Sequence, residues 1–281
     1  MIGRASVTVP AMTAPRPQLA TVRWSGREHR IEHAWIARER RDRPLLVFLH
    51  EGLGSLSMWR DFPRALCAEA RCRGLVLSRW GYGHSSPRPA QERWPVAFMH
   101  DQARLFLPAF FEAVGLDAAR ERPWFYGHSD GGSIALIFAA AFPERVGGVI
   151  AAAPHIMVED LTIASIEKAR EAYRTTNLKA KLGRHHANPD SAFWGWNRIW
   201  LDPDFRSWTI EELLPAIRCP VLAIQGLEDE YGTMAQVDGI AARVPQAELL
   251  KLEGCRHSAH RDRPAPVIAA VSDFLCRHGA G

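Results

Sequence analysis

Short apolar runs with little polar alternation recur along the chain: Leu45-Leu46-Val47-Phe48-Leu49, Gly74-Leu75-Val76-Leu77-Ser78, Trp124-Phe125-Tyr126, Val146-Gly147-Gly148-Val149-Ile150 and Val221-Leu222-Ala223-Ile224. Runs of this length and uniformity predict strands covered on both faces, as in a parallel sheet. Between them, Phe62 to Arg71, Met99 to Val114 and Ser133 to Ala141 carry helical spacing. Strand and helix in alternation predict a mostly parallel, doubly wound α/β sheet. The alternation lapses over 155–217, where Ile163 to Tyr173 and Leu178 to His186 predict helices and Trp194, Trp196, Trp200 and Trp208 follow. The expected organisation is a core formed by 21–154 and 218–281 with a helical insertion at 155–217. Pro10, Pro15 and Pro17 among small residues predict a loose leader over 1–20.

Composition narrows the class. With 281 residues, 47% of them hydrophobic, the chain can bury a full core. The 35 basic and 31 acidic residues are interspersed, and the basic clusters at Arg38 to Arg43 and Arg256 to Arg263 are broken by acids. This argues against a nucleic-acid partner. Cys67, Cys72, Cys219, Cys255 and Cys276 are odd in number and scattered, which predicts reduced thiols and a cytoplasmic location, without a metal site. The leader lacks the apolar core of a secretory signal. No apolar run approaches the ~20 residues of a membrane span, so no membrane partner is expected.

The chemistry centres on Gly127-His128-Ser129-Asp130-Gly131, a serine between two glycines directly after a predicted strand and before a small apolar helix. A bend this sharp needs neighbours without bulk, and it presents the hydroxyl at the end of the sheet. Serine needs a base and a group to orient that base. Val221 to Gly226 runs as a strand into Leu227-Glu228-Asp229-Glu230, where Asp229 is the first choice of acid and Glu228 and Glu230 flank it. Leu249 to Leu252 leads to His257, the candidate base, with His260 three residues on. A developing oxyanion needs amide donors. The backbone of Asp130 supplies one, and the loop His50-Glu51-Gly52-Leu53-Gly54-Ser55 supplies the other, from Gly52 or alternatively Leu53.

Taken together, these stations resemble the α/β-hydrolase superfamily from about Leu45 to the C-terminus. The resemblance rests on the His50-Glu51-Gly52 loop, Gly81-Tyr82-Gly83-His84-Ser85, the bend at Ser129, Phe142-Pro143-Glu144-Arg145-Val146, the acid turn at Asp229 and the closing His257, in that order. Glu51 departs from the family's usual glycine and puts a carboxylate near the pocket mouth. The resemblance implies a Ser129–His257–Asp229 triad without a cofactor, and a lid formed by the insertion. Serine rather than aspartate at the bend sets the chain apart from the dehalogenases and epoxide hydrolases of this fold.

The expected substrate is a small carboxylic ester, lactone or thioester. His50, Glu51, His84 and His155 are candidate pocket residues, and Trp194, Trp196 and Trp200 either line an acyl pocket or make the core of the insertion. Either His84 or His155 could bind a substrate carboxylate or simply bond to backbone. Two alternatives stand beside this reading. One is hydrolysis of a carbon-carbon bond in a vinylogous diketone, for which Arg79 is the candidate carboxylate ligand; the other is a non-catalytic ligand receptor of the same fold. The apolar insertion is compatible with lid movement or with a homodimer contact.

Overall fold

The computed structural model describes residues 16–279. Eight strands form one sheet in the order β1-β2-β4-β3-β5-β6-β7-β8. They are β1 (Gln18–Trp24), β2 (Arg27–Ile36), β3 (Leu45–Leu49), β4 (Arg73–Leu77), β5 (Trp124–His128), β6 (Gly148–Ala152), β7 (Val221–Gly226) and β8 (Ala247–Leu252). β1 and β2 form an antiparallel hairpin and β2 pairs antiparallel with β4, while β3 to β8 are parallel. Of the stretch expected as a leader, 1–15 lies outside the described residues and Gln18 already belongs to β1.

The sheet carries a core on each face because alternate residues of a strand point opposite ways. Leu45, Val47, Leu49, Phe125, Val149, Ala151, Val221 and Ala223 enter one core, whereas Leu46, Phe48, Trp124, Tyr126, Ile150, Ala152, Leu222 and Ile224 enter the other. The second face is covered by α1 (Phe62–Glu69) and, at the chain's end, α11 (Pro264–His278), reached through α10 (Ala259–Asp262). On the first face, α2 (Phe98–Asp101) continues through a π-wound stretch, Gln102–Phe106, into α3 (Leu107–Ala113). Pro108 lacks the N–H that a regular α-helix would use there, and the wider turn accommodates it. After α4 (Ala118–Glu121) and β5 comes α5 (Asp130–Ala141), apolar on every side because the sheet lies against one flank and the π-wound stretch against the other. α9 (Ala235–Arg243) completes this layer.

Between β6 and β7 the chain leaves the sheet as α6 (Asp160–Thr175), α7 (Leu178–Leu182) and α8 (Pro189–Trp200), with short 3₁₀ turns. Tyr173 stacks on Phe193 at a ring separation of 3.8 Å, tying α6 to α8. No helix among the described residues is long and apolar enough to cross a membrane.

The chain runs from β3 outward to β4, then returns to place β5 on the other side of β3. Loops leaving β3 and β5 at their carboxyl ends therefore diverge and open a crevice, the switch point at which α/β sheets bind ligands. Leu49 pairs with Gly127, so the His50 loop and Ser129 emerge side by side there.

Candidate active site

Ser129 sits between β5 and α5 at φ 53° and ψ −120°, a left-handed conformation that a β-substituted residue adopts only under constraint. The surrounding structure supplies that constraint. The Ser129 N–H donates to the Ala152 carbonyl at 2.9 Å, and the Ser129 carbonyl accepts from Gly132 and Ser133 at 2.8 and 3.0 Å. A Cβ at Gly127 would overlap the backbone of Gly131, and one at Gly131 would overlap the Leu49 carbonyl. Both glycines are thus demanded by close backbone approach.

The three carboxylates after β7 have separate tasks. Glu228 accepts from the Gly254 and Cys255 amides at 3.1 and 2.6 Å, which pins the turn after β8. Glu230 lies 3.2 Å from the His257 amide nitrogen, which donates to it, and 3.5 Å from Arg256. Asp229, with a side chain 1% exposed, faces His257 Nδ1 at 2.9 and 3.0 Å and also accepts from the Tyr231 amide at 2.8 Å. Burial alone would discharge His257, but the bond and charge of Asp229 overcome it and hold its pKa above 6.5. Burial likewise pushes the Asp229 carboxyl up, and the bond and charge of His257 with the Tyr231 amide together more than offset it, leaving the pKa below its ordinary value. With Nδ1 engaged by Asp229, Nε2 is the ring nitrogen left for proton exchange.

His128, the residue before Ser129, donates from Nε2 to the His257 carbonyl at 2.9 Å, and the two imidazoles are 5.0 Å apart. That bond fastens the His257 loop to the bend. His128 Nδ1 lies 3.4 Å from the Glu51 carboxylate. Burial raises the Glu51 pKa, but His128 and the neighbouring histidines draw it well below the usual carboxylate range. His260 packs instead against Trp59 at 4.8 Å and has its pKa pushed down to about 3 by burial, first of all, and by His128.

Across the crevice, the Glu51 carbonyl accepts three bonds: from His50 Nδ1 at 2.7 Å, Arg79 Nη2 at 2.9 Å and the Gly54 amide at 3.1 Å. His50 Nε2 accepts from the Arg79 amide at 2.9 Å, which assigns the ring proton to Nδ1. In a trans peptide the N–H points opposite to the preceding C=O. Fixing the Glu51 carbonyl therefore fixes the direction of the Gly52 N–H, the first choice for the second donor. Leu53 is the other candidate, and its carbonyl accepts from His186 Nε2 at 2.9 Å. Asp130, the first residue of α5, has an amide with no carbonyl one turn back.

Arg79 lies at the centre of this side. Its side chain, 1% exposed, reaches the Glu51 carbonyl, Gln102 Oε1 at 3.0 Å and the Asp130 carboxylate at 3.6 Å. Burial raises the Asp130 pKa against the pull of Arg79. Arg79 is committed to the protein and is not a cation open to a substrate carboxylate, so the expectation that it serves as such a ligand is replaced by a role in holding two loops together.

The remaining pocket candidates fall in different places. His155 is buried against Trp200 at 4.8 Å and lies 6.0 Å from His257, with its pKa pushed to about 3 by burial and by His257. Trp196 rests on Gly52, where any side chain would strike its indole, and Trp200 Nε1 donates to Asp130 at 3.2 Å. These two, four apart on α8, share the face turned toward Ser129. Trp194 is on another face of α8, packed 5.5 Å from Tyr173. The His84 ring is exposed, and only its amide is engaged by the turn, donating to Glu32. The insertion is joined to the site by His186, whose Nδ1 accepts from the Gly83 amide at 2.9 Å.

Comparison with known proteins bears on the fold and the family. Residues 44–198 match the family model described as alpha/beta hydrolase fold. The chain is 26% identical over 181 residues to the esterase YbfF of Escherichia coli, covering 57% of this chain and 70% of that protein. It is 26% identical over 211 residues to the human serine hydrolase BPHL, covering 69% and 66%. Among solved structures, the enol-lactonase from Burkholderia xenovorans LB400 aligns with a TM-score of 0.71 at 18% identity over 92% of this chain and 100% of that one, a likeness of fold.

Proposed function

The chain belongs to the α/β-hydrolase fold family and is a hydrolase; from that premise we propose that it is a cofactor-free serine hydrolase cleaving a small carboxylic ester, lactone or thioester. The observation that carries this reading is the left-handed Ser129, fastened through His128 to a His257 that Asp229 holds by Nδ1. His257 Nε2 takes the Ser129 proton as the hydroxyl oxygen attacks the carbonyl carbon, then returns it to the leaving alcohol or thiol. Water resolves the acyl-enzyme by the same route. The amides of Asp130 and Gly52 receive the oxyanion, each worth about 3 kcal/mol of barrier. The insertion over 155–217 is read as the cap, and the curated relatives named an esterase and a serine hydrolase favour the same chemistry.

Carbon-carbon cleavage, which would use the same triad, loses the one cation that favoured it, because Arg79 is engaged at Glu51, Gln102 and Asp130. Labelling with a fluorophosphonate, followed by peptide mass spectrometry, tests the proposal. The expected adduct lies on Ser129 and is absent from Ser129→Ala, which should also have lost turnover of a nitrophenyl ester. Ordinary turnover by a folded Ser129→Ala protein overturns the assignment, and binding of esters without turnover by the wild type moves it to a receptor.

A further inference from the structure

On the side of α8 turned away from Trp196 and Trp200, the helix and the 88–94 segment enclose a cavity of about 120 Å³. Its walls include Arg88, Arg93, Trp94, Trp194, Arg198 and Ile199. At 100° per residue, Trp194 and Arg198 lie together on α8, opposite the face that touches Gly52 and Asp130.

Arg88 is 6% exposed and forms no ion pair within 4 Å among the described residues, the Glu92 carboxylate acting on it only at longer range. Its guanidinium carbon stands 4.4 Å over the Trp94 ring, its Nη2 donates to the Glu92 carbonyl, and its Nε is buried without a partner. Trp94 Nε1, on the same wall, is turned to the Tyr82 hydroxyl, which leaves the Arg88 Nε as the orphaned donor. A buried cation and an orphaned donor each carry a desolvation cost that an anionic oxygen would relieve. The acids lining the cavity are engaged elsewhere. Asp190 accepts from Tyr173 and Lys179 at 2.7 and 2.6 Å, Glu92 pairs with Arg27 at 3.1 Å, and Asp202 caps the Asp204 amide at 3.0 Å. Arg198 stands over the Trp194 ring at 5.7 Å and adds a second positive charge near Arg88.

We propose that this cavity is a second ligand site, separate from the Ser129 crevice, which takes a small organic carboxylate on Arg88 and Arg198 with its apolar body against the wall of Trp94, Trp194 and Ile199. A planar guanidinium fork matches a carboxylate, and an apolar wall accepts a ring or short alkyl chain.

Benzoate and inorganic phosphate are titrated separately into the purified protein, followed by tryptophan fluorescence and calorimetry. Benzoate should bind saturably, equally in wild type and Ser129→Ala, and more tightly than phosphate. Arg198→Gln, a surface change whose folding is checked by circular dichroism, should weaken benzoate by about tenfold or more. Arg88→Gln should do the same, but Arg198→Gln carries the test if the buried variant fails to fold. Unchanged benzoate affinity in Arg198→Gln, or no saturable binding in the wild type, overturns the site. Phosphate binding as tightly as benzoate overturns the ligand class.

Discussion

Ser129 stands between two histidines, His257 and His50, that are shielded alike and opposite in behaviour. Beside β7 and β8, His257 faces the Asp229 carboxylate and has its proton affinity raised. Beside β3 and β4, His50 faces Arg79 and has its pKa driven well below 6.5, first by burial and then by that guanidinium. Both rings are shielded from water, so the difference comes from the charge each one meets. In the proposed mechanism the first imidazole takes and returns a proton, whereas the other is kept neutral as a rigid link between the Arg79 amide and the Glu51 carbonyl. The same residue type is thus tuned toward a charged ring on one side of Ser129 and toward a fixed neutral dipole on the other.

The most severe way to break the contrast is Asp229→Asn. An amide can present its N–H to His257 Nδ1, which turns the ring proton to the wrong nitrogen, so kcat/KM should fall by about 10⁴. Burial would then act on His257 without its counterweight. Activity in the native protein should be lost as pH falls through a His257 pKa above 6.5, because the protonated ring is no base. In Asp229→Asn the acidic limb of the residual rate should move to lower pH. A pH profile of kcat/KM decides this, and an unmoved limb would mean that another group titrates.

The opposite side is broken by Arg79→Gln, with the next largest effect. The Glu51 carbonyl loses one of three donors and Asp130 loses its counter-charge, so the Gly52 and Asp130 amides are aimed less well. Loss of one oxyanion donor outright costs about 10²–10³ in kcat, and misalignment should cost about 10–100-fold. The fall should appear in kcat with KM little changed, and the acidic limb should stay in place. Arg79→Lys should recover part of the rate, since it restores a charge but not the fork. A fall in melting temperature with unaltered kcat would reduce Arg79 to a structural pair.

This asymmetry also marks how far the sequence could be read. The parallel strands and the bend at Ser129 were legible because each is dictated by local pattern: uniform apolar runs for β3 to β7, and glycines where backbones meet. The hairpin of β1 and β2 was not, since β2 carries Arg27, His29, Arg30, Glu32 and His33 and so lacks an apolar run, although Ser25-Gly26, both at positive φ, is its turn signal. β6 begins two residues later than the apolar run suggests, because Val146 follows directly on the 3₁₀ turn Pro143–Arg145 and the Gly147 amide bonds to Pro123. Among Glu228, Asp229 and Glu230, only tertiary contacts separate the tasks. Nothing local distinguishes Arg79 from a solvent-exposed arginine, and its role depends on Gln102 and Asp130, which reach it from other elements. The faces of α8 were hidden for a similar reason. Trp194 and Trp196 are two apart and cannot share a helix face.

The mildest perturbation falls on the one residue that serves both sides. The Glu51 backbone belongs to the oxyanion loop, while its carboxylate lies by His128 and is among the charges that raise the His257 pKa. Glu51→Gln keeps the backbone and removes only the charge. Because His128 and its neighbours hold the native carboxyl ionised far below neutral pH, that charge is present throughout the working range. Removing it should shift the acidic limb of kcat/KM downward, so the variant retains more of its rate under mildly acidic conditions. On the alkaline plateau kcat should change by less than about threefold, since a partly solvated charge is worth about 0.5 kcal/mol. A downward limb with an intact plateau would show that the side chain acts through the base and the main chain through the oxyanion amides. A collapsed plateau with a fixed limb would place the carboxylate on the oxyanion side instead, and the division between the two sides would have to be redrawn at Glu51.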